Sequence, residues 1–421
     1  MEKTLRKVRL GLIGLGVVGQ GVLELLDRQR ADLAQRFGLE LVPVAACVRD
    51  VRRVRGKLAE TLELETDPLA LVQRQDVDIV VEVAGGLAMW PALEMALRLH
   101  KPVVTANKAL IAEKLGELVA LAQETGTPVH CEGAVAAALP ILRSLGRRVD
   151  RVTQLQAIVN GTSNFVLTRM EQDEMTLEKA VALAQQKGFA EADPSADIDG
   201  HDAAAKLTIL AHRALGIWSK PGQFPVRGIR ELTPADFDLV QVLGHRIRHI
   251  ARAELLENLG VELSVEPMLL PDWHLLASVQ EEYNAVYLVC ENAGDLSFFG
   301  KGAGGPPTAT AVVGDVVDLA LGTPTWWPTP TAQVLVNPAD RPRRHYLRVH
   351  GSRQLVARRI EDRLRKSGFL VQNRASVLGG GDTLDLAFIL GPSPLPGLEL
   401  LAKELTELEK VASVLVLGIS E

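Results

Sequence analysis

The feature that most restricts the fold of this chain is a glycine turn close to its start. The stretch KVRLGLIGLG has the apolar run of a buried strand, and VVGQGVLELLDRQRADLAQRFG has the period of an amphipathic helix stopped by Gly38. Gly14-x-Gly16-x-x-Gly19 joins the two. In such a unit the first glycine permits a tight turn, the second lets backbone approach a pyrophosphate, and the third lets helix pack on strand. The helix N-terminus then faces the phosphates. Two other readings compete: a glycine-rich turn with no ligand, and a secretion signal, since Lys3, Arg6, Lys7 and Arg9 precede an apolar run. Against the signal, Glu24, Asp27, Arg28 and Arg30 continue a polar-faced helix where a small-residue cleavage site would be needed.

Downstream, LELVPVAACVR, DIVVEVAGG and KPVVTA read as strands, with helices at PALEMALRLH and from Lys108 to about Glu124. Near-continuous Val, Ile and Ala runs between helices predict a parallel sheet covered on both faces, an α/β, Rossmann-type, doubly wound domain. With 421 residues, two or three domains are expected. We place the dinucleotide-binding domain at 1–140, with about 303–325 returning to it, and a second, α+β domain at 141–302. A linker dense in proline spans 323–344, and a small βαββαβ unit occupies 345–421. A net charge of −6 with interspersed signs argues against nucleic acid and against anionic membranes as partners. No apolar run approaches the roughly 18 residues of a membrane span. Cys47, Cys131 and Cys290 are odd in number and scattered among apolar residues, which suits reduced thiols in a cytoplasmic protein.

The end of the second strand bears on cofactor choice. An acidic residue there holds a ribose hydroxyl, whereas a cation suits a 2′-phosphate. Here Arg49 is followed by Arg52, Arg53, Arg55 and Lys57, so NADP(H) is favoured through Arg49 and Lys57, while Asp50 leaves NAD(H) open. The other basic residues read as a solvated loop. In TANKALIAE, Lys108 follows a short strand at the carboxyl edge where open α/β sheets bind ligands, and a lysine at a helix start runs against the dipole. In GFAEADPSADIDGHDAAAKLTIL, five carboxylates (Glu191, Asp193, Asp197, Asp199, Asp202) crowd a loop that leads to Lys206. Asp202 and Lys206 share a helix face, which is either a surface ion pair or a carboxylate-held lysine acting as general acid on a developing alkoxide. Carboxylates nearby can grip a substrate ammonium. His201, His212, His245 and His249 show no metal spacing.

Six stretches in one order (GLIGLGVVGQGV, DIVVEVAGG, KPVVTANKALIAE, IVNGTSNFVLTRM, GFAEADPSADIDGHDAAAKL and GKGAGGPPTATAVVGDVVD) resemble the homoserine dehydrogenase family across residues 8 to 320. The resemblance implies NAD(P)-dependent interconversion of L-homoserine and L-aspartate 4-semialdehyde, on the route to threonine, isoleucine and methionine. It makes the second domain catalytic and dimer-forming, with a homodimer or homotetramer as the assembly. It gives Lys206 the role of proton donor, positioned by Asp202, with Lys108 as a second catalytic lysine. Glu191, Asp197 and Asp202 would bind substrate, with Asn160, Gly161, Thr162 and Gly188 shaping the pocket. The cofactor would lie on Ile13, Gly14, Leu15, Gly16, Val17, Val18 and Gly19, and would meet Thr105, Lys108 and Gly302. A monovalent cation, Na⁺ or K⁺, would be held by Glu132 and the backbone carbonyls of Val135, Ala137 and Leu139.

The tail resembles an ACT regulatory module in its element order. Where that module carries a D-x-P-G-type turn, this chain reads VHGSRQLVARR, without the Asp or the Pro. That leaves two readings of the tail: a module that binds an amino-acid effector such as threonine, and a structural or dimer-forming unit. No kinase segment precedes the dehydrogenase, the monofunctional arrangement. Two rival readings are a dehydrogenase of the same two-domain plan acting on a different semialdehyde or amino acid, and a nucleotide-sensing regulator without catalysis. The second lacks a basic recognition helix.

Overall fold

The structure, a computed structural model, describes residues 5–53, 56–146, 149–257, 260–324, 327–328, 334–354, 357–379 and 382–420. Near its start, β1 (Arg6–Ile13), β2 (Leu39–Cys47), β3 (Glu63–Glu65), β4 (Ile79–Glu82), β5 (Val103–Thr105) and β6 (Val129–His130) form one parallel sheet in the order β3-β2-β1-β4-β5-β6. The chain reverses its direction of travel across the sheet between β1 and β4, which opens a crevice at the carboxyl ends of those strands. Helices α1 (Val17–Phe37), α2 (Pro68–Gln73), α3 (Trp90–Arg98) and α4 (Lys108–Thr125) make the crossovers. Both α1 and α4 stop where Gly38 and Gly126 turn left-handed, at φ of 68° and 63°, a conformation that costs glycine little.

The chain then leaves this sheet through α5 (Ile141–Gly146) and builds a second one from β7 (Val152–Ile158), β8 (His245–Leu255), β9 (Gly260–Pro271), β10 (Tyr283–Cys290) and β11 (Gly294–Lys301). Between β7 and β8 lie α6 (Gly161–Gln172), α7 (Leu177–Gln186), α8 (Ser195–Ile198), α9 (His201–Leu215) and α10 (Pro234–Val242). The apolar face of α9, with Ala203, Ala204, Leu207 and Leu210, is buried in one core with Leu155, Ala157 and Leu263 of the sheet. Helix α11 (Gly305–Ala320) then returns to the first sheet, where Val312 and Val316 share a core with Leu10 and Leu12. It approaches α1 so closely that a Cβ on Gly21 would lie 3.2 Å from the Ala309 Cβ.

The remaining elements are β12 (Val334–Val336), β13 (Arg343–Ser352), α12 (Ala357–Lys366), β14 (Val371–Leu378), β15 (Thr383–Ser393), α13 (Leu395–Thr406) and β16 (Val411–Ile419). The last six run β-α-β-β-α-β, with their strands ordered β16-β13-β15-β14. The sequence divides this βαββαβ unit from the domain before it by a linker, whereas in the structure the two share a sheet. β16 pairs in parallel with β9 through Gly418–Met268 and Ile419–Leu269, so the tail continues the second sheet. Leu347, Val349 and Phe388 pack under α12 and α13, while Tyr346, Ala387 and Ile389 on the other face join Phe165, Phe237 and Val240. Within the stretch read as a linker, β12 pairs with β9, and Arg341 and Arg343 both reach the buried Glu262. No helix among the described residues is long and apolar enough to cross a membrane. All three cysteines are buried and unbridged.

Candidate active site

The glycine turn has the geometry its spacing implies. Gly14 sits at φ +105°, and a Cβ there would lie 2.8 Å from the Ala84 nitrogen. A Cβ on Gly19 would come within 2.3 Å of the Gly14 carbonyl oxygen, so α1 packs on β1 only with glycine there. Beside Gly16 nothing lies within 4 Å: its open side is the cleft. Gly16 also provides no side-chain cap for α1, which leaves the first N–H groups of the helix without a side-chain acceptor. Ile13, Gly14 and Leu15 line that cleft with Arg49, Asp50 and Arg53. These are the features a bound dinucleotide requires. Lys57 opens a short 3₁₀ turn over Lys57–Thr61 and is exposed; Arg53, not Lys57, lines the cleft beside Arg49. Arg55 lies outside the described residues.

The other end of the crevice is lined by Lys108, Lys206, Ala106, Gly302 and Gly304. Lys108 is the first residue of α4, whose cap is the Asn107 side chain accepting from the Leu110 N–H. Its Nζ lies 2.7 Å from Asp202 Oδ1. Lys206, one turn along α9 from Asp202, places its own Nζ 2.8 Å from Asp202 Oδ2 and donates to the Val159 carbonyl at 2.6 Å. One carboxylate therefore holds both lysines. Burial pushes the Asp202 carboxyl up, but the ammonium groups of Lys206 and Lys108 overcome this and hold it well below the usual carboxylate range. Burial lowers the Lys108 ammonium, and the Asp202 charge outweighs it and leaves Lys108 above its ordinary value.

Asn160 caps α6 and donates from Nδ2 to both Asp197 Oδ1 and Asp202 Oδ2, at 2.6 and 2.8 Å. Thr162 Oγ1 donates to the Phe189 carbonyl at 2.7 Å. Gly161 passes so close to the Glu282 carbonyl oxygen that a Cβ would sit 2.7 Å from it, and Gly188 ends α7 at φ +77°. Of the five crowded carboxylates, Asp197 and Asp202 turn inward. Glu191 is exposed on the same loop, close enough for its charge to raise Lys108. The other two are engaged locally: Asp193 binds Ser195 and Asp199 pairs with Arg230. His212 and His249 are buried and held down to about 4 by desolvation, which fits structural residues.

Glu132 is buried, and its two oxygens accept from the N–H groups of Leu142 and Arg143 at the start of α5. Burial and the nearby Asp315 push its carboxyl up to about 7. Ala136 and Ala137 turn left-handed, at φ of 51° and 40°. Leu139 oxygen accepts from Ile141, but among the described residues the carbonyls of Val135 and Ala137 accept no hydrogen bond. Free carbonyls beside a buried carboxylate are the donor set a hard cation takes.

Sequence reasoning passed over Glu82 and Asn107. Thr105 Oγ1 donates to Glu82 Oε2 at 2.6 Å and accepts from the Asn107 N–H at 3.0 Å. The available signal for Glu82 was a charge in the otherwise apolar run DIVVEVAGG. It also passed over Asn284, whose carboxamide is so close beneath Gly302 that a Cβ there would fall 1.9 Å from its Cγ.

Comparison with known proteins gives concordant results. Residues 14–132 match the family model described as homoserine dehydrogenase, NAD binding domain, and residues 140–317 match the homoserine dehydrogenase model. The chain is 40% identical over 316 residues to the homoserine dehydrogenase of Bacillus subtilis, covering 74% of this chain and 73% of that one. A solved homoserine dehydrogenase from Thiobacillus denitrificans superposes with a TM-score of 0.90 at 34% identity, covering 99% of each chain. A hyperthermophilic archaeal homoserine dehydrogenase solved in complex with NADPH superposes with a TM-score of 0.65 at 28% identity, over 76% of this chain and all of that one.

Proposed function

Because the chain belongs to the homoserine dehydrogenase family and thus interconverts L-homoserine and L-aspartate 4-semialdehyde with a nicotinamide cofactor, we propose that Lys206, Lys108 and Asp202 carry the proton-transfer half of that reaction. The observation that carries this reading is the single buried carboxylate holding two ammonium groups at the reacting end of the cleft. A nicotinamide dinucleotide held along the glycine turn from Ile13 to Gly19 would supply the hydride for reduction at C4 of the semialdehyde, and would take it up in the oxidation of homoserine. Lys206, fixed by Asp202 and the Val159 carbonyl, gives its proton to the oxygen on which negative charge develops. Lys108 adds a second cation at the same place. Asp202, held ionised by the two ammonium groups, keeps both side chains aimed at that oxygen. In the reverse direction the same nitrogen accepts the hydroxyl proton.

Asp197 and Glu191 receive the substrate ammonium, with Gly161, Thr162 and Gly188 shaping the pocket around it. The cofactor reading extends along the turn from Ile13 to Gly19, to Thr105 and to Gly302. Arg49 beside the adenosine end favours NADP(H), with NAD(H) accepted through Asp50. Na⁺ or K⁺ is taken by Glu132 with the carbonyls of Val135, Ala137 and Leu139. The division into domains at 1–140 with 303–325, 141–302 and 345–421 follows the same reading, as do a homodimer or homotetramer and a cytoplasmic location. The tail is read as chiefly structural rather than as a threonine sensor.

The test is to mix the protein with L-homoserine and either NADP⁺ or NAD⁺ at alkaline pH and follow the absorbance of reduced nicotinamide, with and without threonine. Faster reduction of NADP⁺ supports the Arg49 argument, and indifference to threonine supports the structural tail. No reduction by folded protein with either cofactor would overturn the assignment of the lysine pair.

A further inference from the structure

Of the buried acids that the mechanism leaves unused, Asp236, Glu262, Asp315 and Asp385 each face an Arg or His, whereas Glu82 pairs with no cation among the described residues. Glu82 is the last residue of β4, fully buried, after Ile79, Val80 and Val81. Its Oε1 accepts from the N–H groups of Ala84 and Gly85, at 3.0 and 2.9 Å, and its Oε2 from the Thr105 hydroxyl. Asn107, whose N–H reaches Thr105, also donates from Nδ2 to the Gly86 carbonyl at 2.9 Å. The carboxylate thus braces the two loops that follow β4 and β5, one of which starts α4 at Lys108. Burial pushes its carboxyl up and the hydrogen bonds pull it down; three donors and no acceptor surround it, which is what an ionised carboxylate needs and a protonated one does not. Among the described residues no Lys, Arg or His pairs with it. A buried anion without a counter-charge is costly. The residues it holds, Ala84 and Gly85, line the reacting end of the crevice with Lys108 and Lys206.

We propose that Glu82 is a positioning residue whose charge also favours the oxidised over the reduced nicotinamide, the cationic ring supplying the counter-charge that the protein omits. This rests on the dinucleotide reading of the crevice. The two cofactor forms share every contact except the charge of the ring. Any loosening of the braced loops weakens both forms alike and cancels in the ratio of their affinities, whereas loss of the charge does not.

The experiment measures Kd for NADP⁺ and for NADPH by titration calorimetry on the wild type, on Glu82→Gln and on Glu82→Asp. Glu82→Gln is expected to raise the ratio Kd(NADP⁺)/Kd(NADPH) roughly tenfold, the size expected for unit charges about 12 Å apart at an effective dielectric of about 20. Glu82→Asp keeps the charge but draws it back toward β4, and is expected to raise the ratio by a smaller factor. A ratio unchanged in Glu82→Gln, with both forms weakened, reduces Glu82 to a brace and overturns the proposal alone. If the glutamine variant does not fold, an unchanged ratio in Glu82→Asp overturns it. Failure of the wild type to bind either dinucleotide overturns the reading of the crevice as well.

Discussion

The Nζ of Lys108 and the Oδ1 of Asp202 meet at 2.7 Å, although one residue begins a helix of the parallel-sheet domain and the other begins a helix packed on the mixed sheet. The ion pair spans the seam between the two halves, so the reacting end of the cleft exists only when both are assembled. Asp202 then serves Lys206 with its second oxygen. Removing Asp202 leaves the buried Lys206 ammonium without a carboxylate, whereas removing either lysine leaves Asp202 with one ammonium instead of two.

Lys206→Ala is expected to keep NADPH binding and to lower kcat by about 10²–10⁴, the range that general acid catalysis contributes. Equilibrium fluorescence titration and steady-state kinetics on the same preparation separate the two effects. A variant with near wild-type turnover removes Lys206 from the chemistry.

Arg49→Ser addresses cofactor choice. Arg49 is exposed at the mouth of the cleft, free to reach a 2′-phosphate. The expected result is a fall in kcat/KM for NADP⁺ of roughly tenfold or more, on the scale of a charge-assisted contact. The value for NAD⁺ stays unchanged.

Protonation of the buried histidines should limit acid stability. Desolvation lowers the His249 imidazole to about 4, below its unfolded value of 6.5. The unfolded chain therefore binds the proton first, so the stability this residue contributes is present above about 6.5 and is lost as pH falls from there toward 4. At pH 4.5 the loss is about 2 kcal/mol for His249. His249→Gln, which does not titrate and can still donate to the Arg227 carbonyl, should flatten part of the decline in Tm between pH 7 and 4.5.

Arg348→Met tests whether the tail is part of the catalytic half. Arg348 on β13 donates to Asp236 on α10 at 2.8 Å, and Asp236 is fully buried. Leaving that carboxylate unpaired is expected to cost about 3–5 kcal/mol in denaturant unfolding. Arg348→Met combined with Asp236→Leu should recover a large share of the loss. A tail that unfolds in a separate, earlier transition in the wild type would contradict the continuous sheet.

Local chemistry made much of the site legible. The glycine turn, the strand runs ending at the crevice, and the i, i+4 spacing of Asp202 and Lys206 depend on residues close in sequence, whose geometry the backbone itself imposes. Lys108 was legible as an oddity, a cation at a helix start. Its partner was not, because positions 108 and 202 lie 94 apart in the numbering and nothing local encodes their meeting. Asn160 entered the site only through the family resemblance, and its bonds to Asp197 and Asp202 arise only when α6 and α9 pack on a common sheet.

The sequence by itself determined that the chain starts with a dinucleotide-type turn, alternates strand and helix into a parallel sheet, and ends in a βαββαβ order. These follow from periodicity and glycine sterics, which act over a few residues. Only the tertiary structure decided that β16 lies beside β9, that both faces of the tail's strands are covered, and that Glu82 braces the loop before Lys108. Each of those depends on desolvation shared between distant segments, and a buried charge such as Asp236 or Glu82 acquires its role from the neighbours that packing brings to it.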